Sequence, residues 1–287
     1  MQTAKTKANH SLAAMPQSRT FFLPCVILIS CLLQPFIPAV SLSQDSKGLE
    51  IMQRVYSREV GDTVIGTVEM ILVGKDGSQR KRMMKIFTKR YDELTKRIVF
   101  FLAPADVTGT ALLTYDYTSV GQDDDQWIYL PALHKTKRIS AGNRSGSFMG
   151  SDFSYGDMTQ KSLESYTYQL LKEQQVNQHA VWIIEAVPKN DEIINLYGYS
   201  KSLFLVRQDN FVVVRAVHWL KNKNILKYNE VTQLEKRGDI WVPMEVRAKT
   251  VDNGNTVHQT LLINTDVKLN TPVDDALFTK RRLKQGL

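Results

Sequence analysis

Residues 257–269 read VHQTLLINTDVKL, and odd-numbered positions such as Leu261 alternate along this run with even-numbered positions such as Thr260. Successive side chains of a β-strand point to opposite faces, so this period of two residues predicts a strand with one buried face. The run DNGN at 252–255 comes directly before it and has the composition of a tight turn. The segment is therefore predicted to be the last strand of an antiparallel hairpin.

Strand-like segments of this kind fill most of the chain. They cover residues 63–73, 78–91, 97–102, 110–117, 126–130, 135–140, 165–173, 180–187, 197–207, 211–220, 225–236 and 241–251. A meander of about ten strands joined by tight turns curls toward a barrel or half-barrel, because open sheets of that size rarely stay flat. We predict a mainly β fold, an antiparallel sheet that approaches a barrel.

Two stretches interrupt the strands. Ser46 is a candidate helix N-cap, and the apolar residues from Leu49 to Tyr56 recur at helical spacing, which predicts an amphipathic helix of about three turns. Residues 141–160 carry four glycines and no sustained period, which predicts a long loop. Because this loop also holds apolar side chains such as Phe148 and Met158, we expect it to enter a cavity or the core.

The N-terminus has the pattern of a secretory signal peptide. Three basic residues precede an apolar run at 21–33, and no acidic residue occurs before Asp45. The run has about a dozen contiguous apolar residues, short of the roughly 20 that a membrane-spanning helix needs. We therefore predict a cleaved signal peptide over residues 1–43 and a single exported β-domain over residues 44–287.

Both cysteines, Cys25 and Cys31, fall inside the predicted signal peptide. The predicted mature chain therefore has no thiol for a disulfide, a nucleophile or a metal site. One alternative stays open, because LISC at 28–31 has the form of a lipobox, in which Cys31 would carry lipid and become the mature N-terminus. The residues that follow Cys31 are still apolar, which favours cleavage without lipidation.

The charge balance argues against a nucleic-acid partner. The whole chain has 37 Lys and Arg against 29 Asp and Glu, a net charge of +8, and the predicted signal peptide holds only basic charges. In the remainder the two signs are interspersed, as in KRYDE at 89–93. This pattern is typical of a solvated basic surface, which could also contact anionic lipid head groups in a peripheral way.

The sequence contains no constellation of catalytic or metal-binding residues. The carboxylates at 123–125 lack the spacing of a calcium-binding loop, and we interpret them as a solvated turn. Ser151 and Asp152 have no companion histidine motif for a triad, so we interpret Asp152 or Asp157 as a helix cap or a pin for the loop. We predict neither an enzyme nor a cofactor.

Apolar and aromatic side chains recur on the predicted strands and in the 141–160 loop. A half-barrel has no second sheet to cover its concave face, so a lid or an apolar ligand must cover it. The pattern does not decide which of the two faces is concave. We expect the ligand to contact an apolar cavity formed by Met70, Leu72, Phe87, Trp127, Tyr129, Phe148, Met149, Phe153 and Tyr155.

Several longer motifs are similar to those of one known family. They are PADVTGTALL at 104–113, DDQWIYLPAL at 124–133, KRIS at 137–140, SFMGSDFSYGD at 147–157, WVP at 241–243 and PVDDALFT at 272–279. Together they cover most of residues 50–282 and closely resemble the LolA-like outer-membrane lipoprotein-sorting proteins.

The resemblance implies an unclosed antiparallel β-barrel (a half-barrel) whose mouth is covered by short lid helices. It further implies a monomeric periplasmic carrier that binds lipid, or the acyl chains of lipoproteins, for transfer toward the outer membrane. An inner-membrane lipid exporter is an implied partner. The alternative is a lipid-anchored acceptor or accessory factor of an envelope transporter, attached to a membrane through Cys31.

Overall fold

The computed structural model describes residues 40–119, 121–221 and 224–287, and within these ranges the chain forms thirteen strands and three α-helices. The helices are α1 (Val40–Tyr56), α2 (Asp191–Tyr197) and α3 (Lys280–Gln285). The strands are β1 (Thr63–Gly74), β2 (Gln79–Arg90), β3 (Leu94–Ala103), β4 (Ala111–Tyr117), β5 (Asp125–Leu130), β6 (Lys135–Arg138), β7 (Tyr166–Val176), β8 (His179–Pro188), β9 (Tyr199–Arg207), β10 (Val213–Leu220), β11 (Ile225–Arg237), β12 (Ile240–Asp252) and β13 (Asn255–Leu269).

All thirteen strands belong to one antiparallel sheet. Its order is β6-β5-β4-β3-β2-β1-β13-β12-β11-β10-β9-β8-β7, so β1 pairs with β13 and the sheet ends at β6 and β7. The β1 and β13 pairing joins residues from the two ends of the domain, for example Val64 with Leu269. The two edge strands are not hydrogen-bonded to each other, and the sheet stays open. The prediction of an unclosed, mainly β antiparallel barrel is confirmed.

Alternating side chains divide the sheet into two faces. The inner face is the one on which α1 and the residues between β6 and β7 pack, and the outer face is the opposite one. On β5, Ile128 points to the inner face and packs near Phe148, whereas Trp127 points to the outer face. Residues 139–165, which connect the two edge strands across the inner face, are called the crossing segment below.

The C-terminal residues cover the outer face of the first half of the sheet. Val273, Phe278 and Leu283 are buried there against a cluster that includes Ile98 and Leu113. The Tyr115 hydroxyl donates a hydrogen bond to the backbone oxygen of Phe278 at 2.6 Å. Both faces of β3 to β5 are therefore buried, which explains why their sequences show continuous apolar runs such as IVFF at 98–101.

Replacing Phe278 with alanine is expected to lower the free energy of unfolding by about 3–5 kcal/mol, because the ring is 1% exposed and its removal leaves a cavity. Urea denaturation measures this change. Leu133→Ala is the matched control, since that side chain is 51% exposed. Equal stability of the two variants would contradict a structural role for the C-terminal segment.

Helix α1 lies on the edge strand β7. It begins at Val40, earlier than predicted, so Ser46 lies inside the helix and is not its N-cap. At Gly48 the helix approaches β7 so closely that a Cβ atom would stand 2.9 Å from the Tyr168 backbone oxygen. Ile51 and Met52, one turn further on, are buried against β7 and β8. Glycine at position 48 thus allows the helix to cover the inner face.

The short helices α2 and α3 were not predicted. Asn190 caps α2 by accepting a hydrogen bond from the Ile193 amide, and Thr279 caps α3 in the same way through Arg282. In the part of the chain that the structure describes, no helix is long and apolar enough to cross a membrane. The predicted signal peptide, apart from the first residues of α1, and Cys31 lie outside the described residues.

Candidate functional site: a cavity under helix α1 and the crossing segment

A cavity of about 360 Å³ lies on the inner face of the second half of the sheet. Its walls come from α1, from the crossing segment and from strands β7 to β12. This volume falls in the range of about 300–1,000 Å³ that is usual for small-molecule sites. The apolar part of the lining consists of Met52, Val55, Phe153, Ala186, Phe204, Val213, Val214, Ala216, Val231 and Val246.

The lining near α1 is aromatic. Tyr56 at the end of α1 and Tyr166 and Tyr168 on β7 all border the cavity, and the Tyr56 and Tyr168 hydroxyls share a hydrogen bond. Burial raises the pKa of Tyr56 to about 12, so the phenol stays neutral at physiological pH. The Tyr166 hydroxyl is buried and has no hydrogen-bond partner among the described residues. This wall is thus apolar in bulk but offers one free hydroxyl.

A polar group centred on Asp157 forms another part of the cavity lining. Its carboxylate accepts hydrogen bonds from the Ser154 amide at 2.9 Å, the Tyr199 hydroxyl at 2.7 Å and the Lys161 ammonium at 3.2 Å. Burial by itself raises the pKa of Asp157, but the attraction of Lys161 and His218 and these hydrogen bonds hold it well below its usual range. Asp157 is therefore ionised at physiological pH and joins the crossing segment to β9.

His218 forms part of the same polar wall. Its ring stacks on Tyr199 with 4.4 Å between centroids, and its Nδ1 atom lies 2.7 Å from the Ser202 hydroxyl oxygen. Burial lowers the pKa of His218 to about 4, and Asp157 only partly opposes this effect. The imidazole is therefore neutral at pH 7 and contributes hydrogen bonding to the cavity without adding charge.

The crossing segment fills the inner face of the first half of the sheet. Phe148 is buried against Met70, Leu72 and Phe101, and Met149 and Tyr155 pack around this cluster. A smaller space of about 230 Å³ remains between the ends of β1, β2, β12 and β13. The crossing segment therefore covers one half of the inner face. The larger cavity lies in the other half.

Asp152 pins the middle of the crossing segment to the sheet. Its carboxylate, with a side chain 1% exposed, accepts hydrogen bonds from the Thr250 hydroxyl at 2.6 Å and the Thr260 hydroxyl at 2.7 Å. The Nδ1 atom of His258 lies 2.7 Å from the same carboxylate. Asp157 also caps a short 3₁₀ turn at Tyr155–Met158 together with Ser154. The prediction that these two aspartates pin the loop or cap a helix is confirmed.

A second pair of carboxylates anchors the segment to β4 and β5. Asp116 accepts a hydrogen bond from the Gln160 amide at 2.7 Å, and Asp124 accepts one from the Tyr117 amide at 3.1 Å. Arg144 of the crossing segment, 3% exposed, donates to the Asp124 backbone oxygen. The interpretation of residues 123–125 as a solvated turn is wrong for Asp124, which is buried because Arg144 covers it.

This carboxylate pair predicts a specific dependence of stability on pH. Burial and the neighbouring Asp124 raise the pKa of Asp116 to about 7, although Gln160 and Arg97 oppose the shift. The folded state then binds an extra proton between about pH 4 and pH 7, so this group's contribution to stability is lost as the pH rises through 7. His218 has the opposite effect. Because its pKa in the folded state is about 4, its contribution makes the protein more stable as the pH rises from 4 to 6.5.

In Asp116→Asn we therefore expect the falling contribution of Asp116 between pH 4 and pH 7 to disappear, while the rising contribution of His218 remains. The amide keeps the oxygen that accepts from Gln160, and urea unfolding should show stability that rises with pH more steeply than in the unsubstituted protein. Asp239→Asn is the control, because the Asp239 side chain is fully exposed. Parallel pH profiles for the Asp116 variant and the unsubstituted protein would contradict the assignment.

Comparisons with known proteins give the family. A family model described as an uncharacterized protein matches residues 93–285. A solved domain from Vibrio parahaemolyticus, named for outer-membrane lipoprotein sorting, is 30% identical and superposes with a TM-score of 0.76, covering 84% of this chain and 99% of that chain. The chain belongs to the LolA-like family of outer-membrane lipoprotein-sorting proteins. The resemblance seen in the sequence motifs is confirmed.

Two other solved structures agree with the LolA-like assignment. A DUF1329 family protein from Desulfovibrio piger is 26% identical, covers 84% of this chain and 99% of that chain, and has a TM-score of 0.76. A LolA superfamily protein from Nitrosomonas europaea is 20% identical, covers 83% of this chain and 99% of that chain, and shares the fold with a TM-score of 0.61. The comparison with curated proteins gives no match.

The residues predicted to form one apolar cavity are distributed over three places in this LolA-like chain. Phe153 lines the 360 Å³ cavity. Met70, Leu72, Phe148, Met149 and Tyr155 belong to the packed cluster under the crossing segment. Phe87, Trp127 and Tyr129 lie on the outer face, against the C-terminal segment. The nine residues therefore do not lie on one face, because β5 buries both of its faces and β2 carries apolar side chains on both.

Sequence reasoning missed the polar wall of Asp157, Lys161, Tyr199 and His218. The pattern contained one usable signal, since His218 shares its strand face with Ala216 and alternates with more exposed neighbours. A histidine at a buried strand position, with Lys161 placed four residues after Asp157, could have indicated a buried polar cluster. These four residues come together only in the tertiary structure, so no local sequence pattern indicates that they are in contact.

Proposed function

We propose that this LolA-like chain is a carrier that holds lipid, or the acyl chains of a lipoprotein, in the cavity under α1 and the crossing segment. The observation that supports this most directly is the cavity itself, with an apolar lining on the inner face of an open sheet. The name of the Vibrio parahaemolyticus domain points to lipoprotein sorting for that relative. Only this cavity, and not the filled first half, is proposed to hold the ligand.

Burial of the acyl chain supplies the driving force. Each methylene removed from water contributes about 0.8 kcal/mol, so a dozen methylenes contribute on the order of 10 kcal/mol before the cost of ordering the chain. No covalent step is needed, and release requires only that the cavity opens. Helix α1 and the crossing segment are the elements proposed to move, because they form the cavity wall opposite the sheet.

The proposed setting is the periplasm, reached through the signal peptide predicted over residues 1–43. There the protein would receive its cargo from an inner-membrane exporter and carry it, as a monomer, toward the outer membrane. The relatives named for sorting or for the LolA superfamily are not named as enzymes, in line with a binding role. Of the nine residues predicted from the sequence to line a cavity, only Phe153 is part of the proposed ligand site.

Titration of the purified protein with a fluorescent long-chain fatty acid tests the proposal. We expect a saturable rise in fluorescence that unlabelled fatty acid reverses, because both compete for one cavity. A fluorescence signal that rises without saturation, or that unlabelled fatty acid leaves unchanged, would show nonspecific adsorption and contradict a carrier with a defined site.

A further inference from the structure

The β6 edge of the sheet is basic. Strand β6 carries Lys135, Lys137 and Arg138, whose side chains are all exposed. No Asp or Glu occurs anywhere in residues 126–151. Arg138 forms an ion pair with Asp125 of β5 at 2.9 Å. Lys135 and Lys137 form no salt bridge with any residue that the structure describes, so their charges face solvent without compensation.

Helix α3 brings a second group of cations to the same edge. It packs on the outer face through Leu283, and residues 276–287 contain no Asp or Glu. Its exposed cations are Lys280, Arg281 and Lys284. The Lys280 ammonium lies 4.1 Å from the centroid of the Trp127 ring, and Trp127 is the cross-strand neighbour of Arg138. The two groups therefore belong to one surface, called the basic edge below, which consists of Lys135, Lys137, Arg138, Lys280, Arg281 and Lys284.

An exposed apolar side chain lies within the basic edge. Leu133, in the turn that joins β5 to β6, is 51% exposed and comes two residues before Lys135. An acidic protein or a nucleic acid would neutralise the cations and leave the leucine in water. An anionic bilayer offers charged head groups to the cations and an apolar region beneath them to the leucine. The combination therefore favours a lipid surface as the partner.

The opposite edge of the sheet has a different charge pattern. On β7 the exposed Lys172 is followed by the exposed Glu173, so the two signs alternate. Helix α2, which follows β8, begins with the exposed carboxylates Asp191 and Glu192. An anionic surface attracts the basic edge and repels the start of α2. The charge distribution therefore orients the protein on such a surface, with β6 toward the head groups.

We propose that the basic edge is the surface by which this protein docks on an anionic lipid bilayer. Its cations contact the phosphate groups of the lipids, and Leu133 enters the layer of head groups between them. Each Lys or Arg close to an anionic membrane raises the affinity about fivefold, so several together give stable but reversible binding. Docking holds the protein at the membrane where a carrier takes up or releases cargo, and it does not require a filled cavity.

Sedimentation with lipid vesicles tests the docking. The vesicles consist of phosphatidylcholine alone or of phosphatidylcholine with about one-third phosphatidylglycerol, which gives the membrane a negative surface. We expect the protein to sediment only with the anionic vesicles and to be released at about 0.5 M salt, where the charges are screened. Failure to bind the anionic vesicles, or equal binding to both kinds, would overturn the proposal.

Substitution of unpaired cations identifies the surface. The test variant combines Lys135→Gln, Lys137→Gln, Arg281→Gln and Lys284→Gln, all at exposed positions. We expect it to bind the anionic vesicles at least about a hundredfold more weakly. The matched control removes the same net charge from β11 to β13 through Lys236→Gln, Arg247→Gln, Lys249→Gln and Lys268→Gln. An equal loss in both variants would show that only net charge matters and would overturn the assignment of the surface.

The apolar contribution has its own variant. Leu133→Gln keeps every charge of the basic edge and is expected to weaken vesicle binding severalfold, because an amide gains nothing from the apolar region. Circular dichroism should show that this variant and both quadruple variants are folded, since their substitutions lie on the surface. Unchanged vesicle binding in Leu133→Gln would overturn the contact of Leu133 with the bilayer and, with it, the reason for preferring a membrane over an acidic macromolecule.

One further pair of measurements separates docking from the carrier function. Ala216→Trp places an indole in the lining of the 360 Å³ cavity, on β10, whereas β6 is the edge strand at the far end of the sheet order. We expect Ala216→Trp to bind anionic vesicles like the unsubstituted protein, and the test variant at the basic edge to keep its uptake of fluorescent fatty acid. Loss of vesicle binding in Ala216→Trp would show that the vesicles bind through the cavity and would overturn the docking surface.

Discussion

Replacing Ala216 with tryptophan is expected to abolish most acyl-chain binding. Ala216 is buried on the inner face of β10 and lines the 360 Å³ cavity, so an indole at this position would occupy the space proposed for the ligand. Exclusion of about four methylenes costs about 3 kcal/mol, which corresponds to more than a hundredfold in Kd. Titration with the fluorescent fatty acid measures the loss.

The matched control is Val217→Trp, on the same strand but on the outer face. Val217 pairs with Tyr228 and Leu203, away from the cavity. It adds the same side chain to the same strand, so it reports on any general damage to β10. Circular dichroism and thermal unfolding should show that both variants are folded. Fatty-acid binding that survives in Ala216→Trp would exclude this cavity as the ligand site.

Removal of the Asp157 carboxylate is expected to cause a large loss of stability. In Asp157→Ala the Lys161 ammonium and the Tyr199 hydroxyl lose their buried partner. Breaking a buried ion pair in this way costs about 3–5 kcal/mol. Because the folded pKa of Asp157 lies below its unfolded value, the carboxylate contributes stability above about pH 4 and this contribution is lost as the pH falls. Urea unfolding of the variant at pH 7 measures the effect.

The double variant Asp157→Asn with Lys161→Met is the control for this prediction. It removes both charges while keeping side chains of similar volume, and we expect it to be more stable than Asp157→Ala. Asp266→Ala, which breaks a surface pair with Lys85, should change stability by less than about 1 kcal/mol. If Asp157→Ala behaves like the surface variant, the ion pair does not hold the crossing segment to the sheet.

The strands could be predicted because each one carries either a period of two residues or a short apolar run, such as IVFF at 98–101. Every predicted segment overlaps an observed strand, including the last one, now β13 at Asn255–Leu269. The pairing of β1 with β13 leaves no local signal, since its partners are about 200 residues apart. It is implied only by the family resemblance. The start of α1 was misplaced because Ser46 has the composition of an N-cap although the helix continues through it.

The site was harder to predict than the fold because apolar residues occupy both faces of β2 to β5. Trp127 and Ile128 are equally apolar neighbours, and only the C-terminal segment, remote in sequence, decides that Trp127 packs outward. The cavity itself depends on how the side chains of the crossing segment are divided, with Phe148 and Tyr155 in the packed cluster and Phe153 in the cavity wall. Asp124 was predicted to be a solvated turn residue because Arg144, the side chain that covers it, lies 20 residues further along the chain.

The most direct test of the carrier proposal is lipid extraction of the protein purified without detergent, followed by mass spectrometry. We predict that the unsubstituted protein carries a stoichiometric acyl-chain lipid, and that Ala216→Trp, prepared in parallel, carries much less. Consistently empty protein, or equal lipid content in the two preparations, would contradict the assignment of this cavity as the site of a lipid carrier.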